Sequence, residues 1–326
     1  PPELVRLLNQ EMEGWSRNID YEHRPLTEHL EELGIRQFEL DVFADTSGGL
    51  YSEPAGAQLS GDEAFLNVNE MAAPGYKVLH GQDLDYRTTC LTFVSCLTEI
   101  HDWSAANPNH LPIFILVEAK GGTREDRGPI QFTEPLEYTA GLLHELDREI
   151  LSVFDESHLI IPDDVRGEYD TLEQAVTNSG WPTLAESRGK VMFALDNTGI
   201  HKELYLQGYP NLENRVLFVS SEPGEPTAAF IKMNDVIGQY EKIKDYTSAG
   251  FLVRTRSDIP TREARSGDTT RRDLALQSGA QFISTDYPEE SPFGSGYIVT
   301  LPGTDDVARC NPVSAEATCR NEMLKE

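Results

Sequence analysis

Short apolar segments alternate with longer amphipathic segments along most of this chain, and this alternation constrains its fold more than any other feature. The clearest apolar segment is Ile113–Glu118 (IFILVE), which carries no charge before its last residue. A continuous apolar run of this length is typical of a strand that is covered on both faces, as in a parallel sheet. Strands that alternate with helices predict a parallel β/α fold.

Seven segments are predicted to be strands. They are Ile35–Phe43, Lys77–His80, Ile113–Glu118, Val191–Leu195, Val216–Ser220, Phe251–Thr255 and Gln281–Thr285, and the predicted helices include Pro25–Glu32, Tyr138–Phe154 and Thr261–Ser278. A closed barrel of this class has eight strands. Since Pro1–Glu32 looks like a connection with no strand before it, we expect a (β/α)8 TIM barrel that lacks its first strand. One domain is expected over residues 1–326, with a C-terminal tail from about residue 295.

Composition excludes some functions and indicates a compartment. The net charge is −28 at pH 7, which excludes non-specific nucleic-acid binding and argues against adsorption to anionic membranes by bulk charge. No run approaches the length of a membrane-spanning helix. The cysteines form two close pairs, Cys90/Cys96 and Cys310/Cys319. We expect two local disulfides and hence a secreted protein, with four reduced thiols as the alternative.

Acidic residues at predicted strand ends suggest a cation site. Glu39 and Asp41 alternate with apolar neighbours on one strand, so both side chains lie on the same face. Glu118 ends another strand, and Lys120 follows it on the same side. Carboxylate oxygens at this density suit Ca²⁺ or Mg²⁺. A solvated acidic face, followed by an ordinary loop, is the structural alternative.

Other strand ends carry groups suited to acid–base chemistry or phosphate binding. His80 ends a predicted strand, and the ordinary pKa of histidine near neutrality suits a general acid or base. Arg254 and Arg256 end another strand in a strongly acidic chain, and arginine binds phosphate well. Asp196 and Asp286 also end strands; each could bind a cation, orient a neighbour or cap a turn.

Several motifs occur in the order found in a known family. They are 34–42 (GIRQFELDV), 75–90 (GYKVLHGQDLDYRTTC), 112–118 (PIFILVE), 161–166 (IPDDVR), 181–185 (WPTLA) and 279–288 (GAQFISTDYP). Together they resemble the phospholipase C-like phosphodiesterases, and more closely the secreted, calcium-dependent phosphoinositide phospholipases C of bacteria and fungi. The resemblance covers nearly the whole chain.

The resemblance implies a reaction and a role for each site residue. Glu39, Asp41 and Glu118 would be calcium ligands, and His80 would be the second catalytic histidine. Lys120 and either Arg254 or Arg256 would contact the phosphate or the inositol ring. A ring hydroxyl would attack phosphorus, releasing diacylglycerol and leaving a cyclic inositol phosphate. The expected partners are a phosphoinositide or related lipid and, transiently, a membrane surface; a monomer is expected.

The sequence departs from the family pattern at one place, and three other functions are compatible with its residues. The first strand of the family carries a His-Asn pair that this sequence lacks, so the chain itself is expected to have weak activity or none. A glycerophosphodiester or other head-group phosphodiesterase would use the same residues. A glycoside hydrolase also places paired carboxylates on a barrel. A barrel that only binds calcium or a phosphorylated ligand is the non-enzymatic alternative.

Overall fold

The strands are short and are separated mostly by helices. A computed structural model describes residues 15–126 and 131–326, and the beginning of the predicted connection Pro1–Glu32 lies outside these residues. The strands found there, numbered in chain order, are β1 Gln37–Phe43, β2 Lys77–Val78, β3 Ile113–Ala119, β4 Leu159–Ile160, β5 Val191–Leu195, β6 Leu217–Val219, β7 Phe230–Lys232, β8 Leu252–Arg256 and β9 Phe282–Ser284.

These strands form two sheets. The six-stranded sheet has the order β2-β1-β3-β5-β4, and β6 pairs with β5 beyond the end of β4. The three-stranded sheet has the order β7-β8-β9. Every pairing among the described strands is parallel except that of β1 with β2. A parallel bridge between Ser220 and Phe230 connects the region after β6 to β7.

The two sheets face each other across a shared core. Phe114 of β3 stacks on Phe282 of β9 with ring centroids 4.1 Å apart, and it also meets Phe230 of β7 at 5.2 Å. Aromatic pairs at these distances add to the free energy of burying their apolar surface. The apolar side chains of β3 therefore contact the smaller sheet, and the fold is a mixed α/β fold with one main core.

Helices cover the outer faces of the sheets. Where the sequence offers a capping residue, the helix begins there: the Thr92 side chain accepts the backbone N–H of Ser95, and the Ser95 hydroxyl accepts that of Thr92. The helices are Trp15–Asn18, Leu26–Glu31, Ala55–Ser60, Phe93–Ala106, Ala140–Val153, Pro162–Arg166, Leu172–Asn178, Leu184–Ser187, Ile200–Tyr205, Val236–Ser248, Arg262–Ser266 and Thr270–Gln277.

Some predicted elements need correction. Of the predicted strand Lys77–His80, only Lys77–Val78 forms a strand. It pairs antiparallel with the end of β1, so it is not one of the parallel strands of a barrel. Strands β4 and β7 were missed because two and three residues are too few to show a hydrophobic period. The predicted helix Thr261–Ser278 is divided by Gly267, whose φ of 72° caps the first piece.

The C-terminal segment packs against the starts of the first and last strands. Arg36, just before β1, donates to the Glu326 carboxylate, and Asn311 donates to the backbone of Gly279 before β9 at 2.7 Å. Gly34 is required beside this segment because its φ is 64° and a Cβ there would lie 2.7 Å from Val307. This segment therefore bridges the N-terminal ends of β1 and β9.

The predicted cysteine pairs both form disulfides. Cys90 is bonded to Cys96 and Cys310 to Cys319, so the alternative of four reduced thiols is wrong. The second bond closes a loop within the C-terminal segment. None of the described helices is long and apolar enough to cross a membrane.

Candidate active site

The acidic residues of the six-stranded sheet meet at the carboxyl ends of its strands. Parallel pairing places Asp41 of β1 opposite Glu118 of β3, and β5 on the far side of β3 ends next to Asp196. Glu39, Glu118 and Asp196 each present a carboxylate oxygen, and these three oxygens lie within 4.8 Å of one another. Asp41 is adjacent to this group. The structure therefore brings together the predicted ligands and adds Asp196 to them.

Each of these carboxylates is close to a lysine or arginine. The Lys120 ammonium lies 3.3 Å from Asp41 and 3.2 Å from Glu118. From the smaller sheet, Lys232 donates to Asp196 at 2.6 Å. Opposite charges at these distances offset part of the repulsion among the carboxylates.

Arg254 is held on three sides. Its guanidinium donates to Glu39 at 2.5 Å, to Asn234 at 2.5 Å and to Ser284 at 2.6 Å. Its side chain is only 1% exposed, and burial lowers its pKa despite the attraction of Glu39. Arg254 therefore orients Glu39. Arg256, two residues along β8, lines the same cleft and is the more exposed of the two arginines.

Burial and mutual repulsion shift the acid–base equilibria of the carboxylates. Burial raises the pKa of Asp41 to about 8, because the attraction of Lys120 offsets only part of the desolvation and Glu118 adds repulsion. Burial likewise raises the pKa of Glu39, against the attraction of Arg254. A bound cation would stabilise the ionised form of these carboxylates and so offset the cost of burying their charge.

His80 stands beside this group at the mouth of the cleft. Its Nδ1 lies 2.6 Å from the Asp85 carboxylate, and its side chain is 45% exposed. The hydrogen bond to Asp85 raises the pKa of His80, burial opposes the rise, and the charge of Asp41 adds to it. Its other ring nitrogen remains available to exchange a proton with a substrate oxygen.

Several residues of this site were not identified from the sequence. Asp85 lies only five residues after His80, but this spacing has no distinctive pattern, so the sequence did not indicate that the two side chains are in contact. Lys232 was missed together with strand β7. Asp286, in contrast, was indicated by the sequence; it lies two residues after β9, and burial and the charge of Asp258 raise its pKa to about 6. Tyr21 also lines the cleft, where burial and the charge of Asp286 raise its pKa.

The oxygen-rich group fits a calcium ion. Calcium takes six to eight oxygen ligands, many of them carboxylates, and Glu39, Glu118 and Asp196 offer three within a short radius. The Oδ1 atom of Asp196 is buried and has no hydrogen-bond partner in the described part of the chain. A buried carboxylate oxygen without a partner is costly unless a cation compensates it.

One cleft is lined by most of these residues. Its volume is about 1860 Å³, and it extends from the carboxyl ends of the strands to the C-terminal segment. Glu39, Asp41, Glu118, His80 and Arg256 all line it. The cleft thus offers a cation site, a proton donor and an arginine to one ligand.

Comparison with known proteins agrees with this arrangement. Residues 1–312 match the family model for "Phosphoinositide phospholipase C, Ca2+-dependent". A calcium-dependent phosphatidylinositol-specific phospholipase C from Streptomyces antibioticus is 19% identical, with a TM-score of 0.55 over 82% of this chain and 91% of that one. No curated protein matches the sequence significantly.

A calcium-dependent enzyme from a Pseudomonas species is 15% identical, with a TM-score of 0.49 over 71% of this chain and 76% of that one. The likeness to the Streptomyces enzyme concerns the fold, whereas the family match covers nearly the entire sequence. The chain therefore belongs to the calcium-dependent phosphoinositide phospholipase C family.

Proposed function

We propose that this protein cleaves phosphatidylinositol-type phospholipids in the presence of calcium, releasing diacylglycerol and a cyclic or open inositol phosphate. The observation that carries the proposal is the group of three carboxylates with oxygens within 4.8 Å of one another, two of which, Glu39 and Glu118, line the same cleft as His80. Family membership supports both the phosphodiesterase activity and the calcium requirement.

The metal role is proposed for Glu39, Asp41 and Glu118, which come from two neighbouring strands. Calcium, when bound, would neutralise charge on the phosphate and make the attacking hydroxyl more acidic. Arg254 keeps one oxygen of Glu39 fixed at 2.5 Å. Fixed ligands reduce the reorganisation that binding and catalysis require.

His80 is proposed as the general acid. As the inositol hydroxyl gives its proton to solvent and forms its bond to phosphorus, the bond from phosphorus to the diacylglycerol oxygen breaks, and His80 gives that oxygen a proton. Asp85, 2.6 Å from Nδ1, keeps the ring protonated and oriented. A positioned acid of this kind typically contributes a factor of about 10²–10⁴ in rate.

Phosphate binding is proposed for Lys120 and for the arginines of β8. Arg256 lines the cleft, and its attraction opposes the rise in pKa that burial causes at Glu39 and at Asp286, so its charge acts on both carboxylates. Arg254 would act mainly through Glu39. Two cations flanking the phosphate would stabilise the negative charge that develops during transfer.

We also propose that the two sheets are parts of one (β/α)8-type barrel in a single domain over residues 1–326, with a tail from about residue 295. The bridge between Ser220 and Phe230 and the contact between Phe114 and Phe282 support this continuity. The two disulfides support secretion, because such bonds persist in oxidising compartments.

Transient membrane contact is proposed at the rim of the cleft. Ile200 and Ile237 are 60% and 52% exposed, and each lies in the first turn of a helix that follows a strand of the site. Replacing either with Glu should weaken binding to phosphatidylinositol vesicles in a sedimentation assay. Leu151, which is 40% exposed near the end of helix Ala140–Val153, is the matched control; an equal loss in Leu151→Glu would contradict the proposed surface.

The function is tested by following phosphorus NMR of phosphatidylinositol and glycerophosphoinositol with the full-length protein. We expect the lipid to give inositol phosphate products when calcium is present and no products when a chelator is added. Cleavage of the glycerophosphodiester alone would contradict a lipid-cleaving enzyme. Turnover of the lipid that persists in chelator would contradict the calcium role.

A further inference from the structure

Asp196 lies beside the carboxylates of the cleft and has surroundings that suit a metal ligand. It directly follows β5 and is 7% exposed. One of its oxygens belongs to the group with Glu39 and Glu118, in which all three lie within 4.8 Å. Its Oδ1 atom has no hydrogen-bond partner within the described residues. Proximity and the unpartnered buried oxygen are separate observations, and both point to a cation.

Lys232 fixes the position of this carboxylate. Its ammonium donates at 2.6 Å to Oδ2 of Asp196 and at 2.6 Å to the backbone carbonyl of the same residue. With the side chain and the backbone both held, the Asp196 carboxylate has little freedom to rotate away. One oxygen is thus neutralised, and the other is left for a second positive group.

Glu39 is held in the same way by the neighbouring strand. Arg254 donates to Oε2 of Glu39, and Arg254 is the register partner of Lys232 between β7 and β8. The smaller sheet therefore presents two adjacent cations, each of which holds one carboxylate of the larger sheet. This arrangement positions both acids before a metal ion binds.

Asp41, one of the three acids predicted from the sequence to bind the metal, has a different environment. Its carboxylate lies 3.3 Å from Lys120, and it is not among the three acids whose oxygens lie within 4.8 Å. Lys120 also contacts Glu118 at 3.2 Å. Among the described acids, the group of three mutually close carboxylate oxygens therefore includes Asp196, whereas Asp41 shares Lys120 with Glu118.

We propose that Asp196 is a calcium ligand, together with Glu39 and Glu118, and that Lys232 is the positioning residue that holds it. This inference rests on the calcium dependence of the proposed function. It assigns a ligand to the residue after β5, so that three neighbouring strands of the larger sheet, β1, β3 and β5, each bring at least one carboxylate to the site.

The ligand role is tested by calorimetric titration of CaCl₂ into the wild type, Asp196→Asn and Asp306→Asn. Removing a charged ligand should weaken calcium binding by at least about tenfold. Asp306→Asn removes the same charge from the C-terminal segment that lines the cleft, and it should change the affinity by less than about threefold because it removes no ligand. The thermal unfolding midpoint in chelator reports whether each variant folds, and calcium should raise that midpoint far less in Asp196→Asn.

The positioning role is tested with Lys232→Met and Lys232→Arg. Removing a nearby positive charge would by itself strengthen calcium binding, because like charges repel. We expect the opposite for Lys232→Met, a weakening of about 10–100-fold, because the Asp196 carboxylate loses its support. Lys232→Arg should restore most of the affinity. Tighter binding by Lys232→Met would overturn the positioning role.

The results separate this inference from the proposed function. Wild-type affinity in Asp196→Asn, with binding lost in Glu39→Gln, would overturn the role of Asp196 and leave the calcium requirement intact. Failure of the wild type itself to bind calcium would overturn both.

Discussion

The two sheets of this protein differ in the charges that they bring to the cleft. In the six-stranded sheet, β1, β3 and the residue after β5 carry acids, namely Glu39, Asp41, Glu118 and Asp196, whereas β7 and β8 of the three-stranded sheet carry Lys232, Arg254 and Arg256. Only one backbone bridge joins the sheets among the described residues. The pairs Glu39–Arg254 and Asp196–Lys232 cross this junction.

The pairing of acids on one sheet with cations on the other can serve both the stability of the fold and catalysis. Acids on one sheet would repel each other, and cations on the other would lack partners, if the sheets separated. Facing each other, the charges hold the junction together while leaving carboxylate oxygens and Arg256 open to the cleft. Disrupting either side should therefore affect binding and stability to different extents.

The largest effect is expected from His80, which lies at the edge of the acidic sheet but is not part of the carboxylate group. His80→Gln should lower kcat by about 10²–10⁴ because the leaving oxygen loses its proton donor. Calcium affinity should stay near that of the wild type, since the substitution removes no proposed ligand. Rates of diacylglycerol release and calorimetry measure the two quantities. Unchanged kcat would exclude His80 as the acid.

The next largest effect tests the cations of the smaller sheet. Arg254→Met leaves Glu39 buried without its partner and removes the bonds to Asn234 and Ser284. The free energy of unfolding in urea should fall by about 3–5 kcal/mol. Arg148→Met, which breaks an exposed pair with Glu145, should cost less than about 1 kcal/mol. An equal loss of unfolding free energy in the two variants would show that Arg254 stabilises the junction no more than an exposed ion pair does.

A smaller effect is expected at the opposite end of the strands, where the C-terminal segment bridges β1 and β9. Replacing Cys310 and Cys319 with Ser opens a loop with a sequence separation of 9. The unfolding free energy should fall by roughly 2–3 kcal/mol. Calcium affinity, measured by calorimetry, should not change, because this loop is remote from the carboxylates. A large loss of affinity would show that the two ends are coupled.

The smallest effect concerns the pH response of His80. Asp85→Asn should lower the pKa of His80, as followed by NMR titration, because the hydrogen bond to Asp85 is the main cause of its raised value. Since the pKa in the folded protein is above the ordinary value, the pair stabilises the fold at low pH, and this contribution is lost as pH rises through the pKa of His80. Asp102→Asn, beside His101, should leave the His80 titration unchanged; an unshifted His80 in Asp85→Asn would contradict the pairing.

The sequence was sufficient to predict the long strands and the acids that they carry. Ile113–Glu118 and Val191–Leu195 were clear because parallel strands buried on both faces require continuous apolar runs. The alternation along β1 likewise predicted that Glu39 and Asp41 share a face. The resemblance to the phosphoinositide phospholipases C supplied their metal role, which residue pattern alone left open.

The remaining features depend on contacts between distant segments. Nothing near Asp196 in the sequence indicates that Lys232 would hold it, because the two residues meet only after the sheets come together. Strand β7 is too short to show a period, so its lysine could not be assigned to the site. Arg254 was predicted to contact substrate, but its burial against Glu39 follows from tertiary packing.

The calcium site is tested most directly by the rate of diacylglycerol release from phosphatidylinositol vesicles. This rate is measured as free calcium is varied, with the full-length wild type and with Glu39→Gln. We predict a rate that saturates with calcium in the wild type and a curve for Glu39→Gln that requires at least about tenfold more calcium. Identical calcium dependence in the two proteins would contradict a metal site at the ends of the acidic strands.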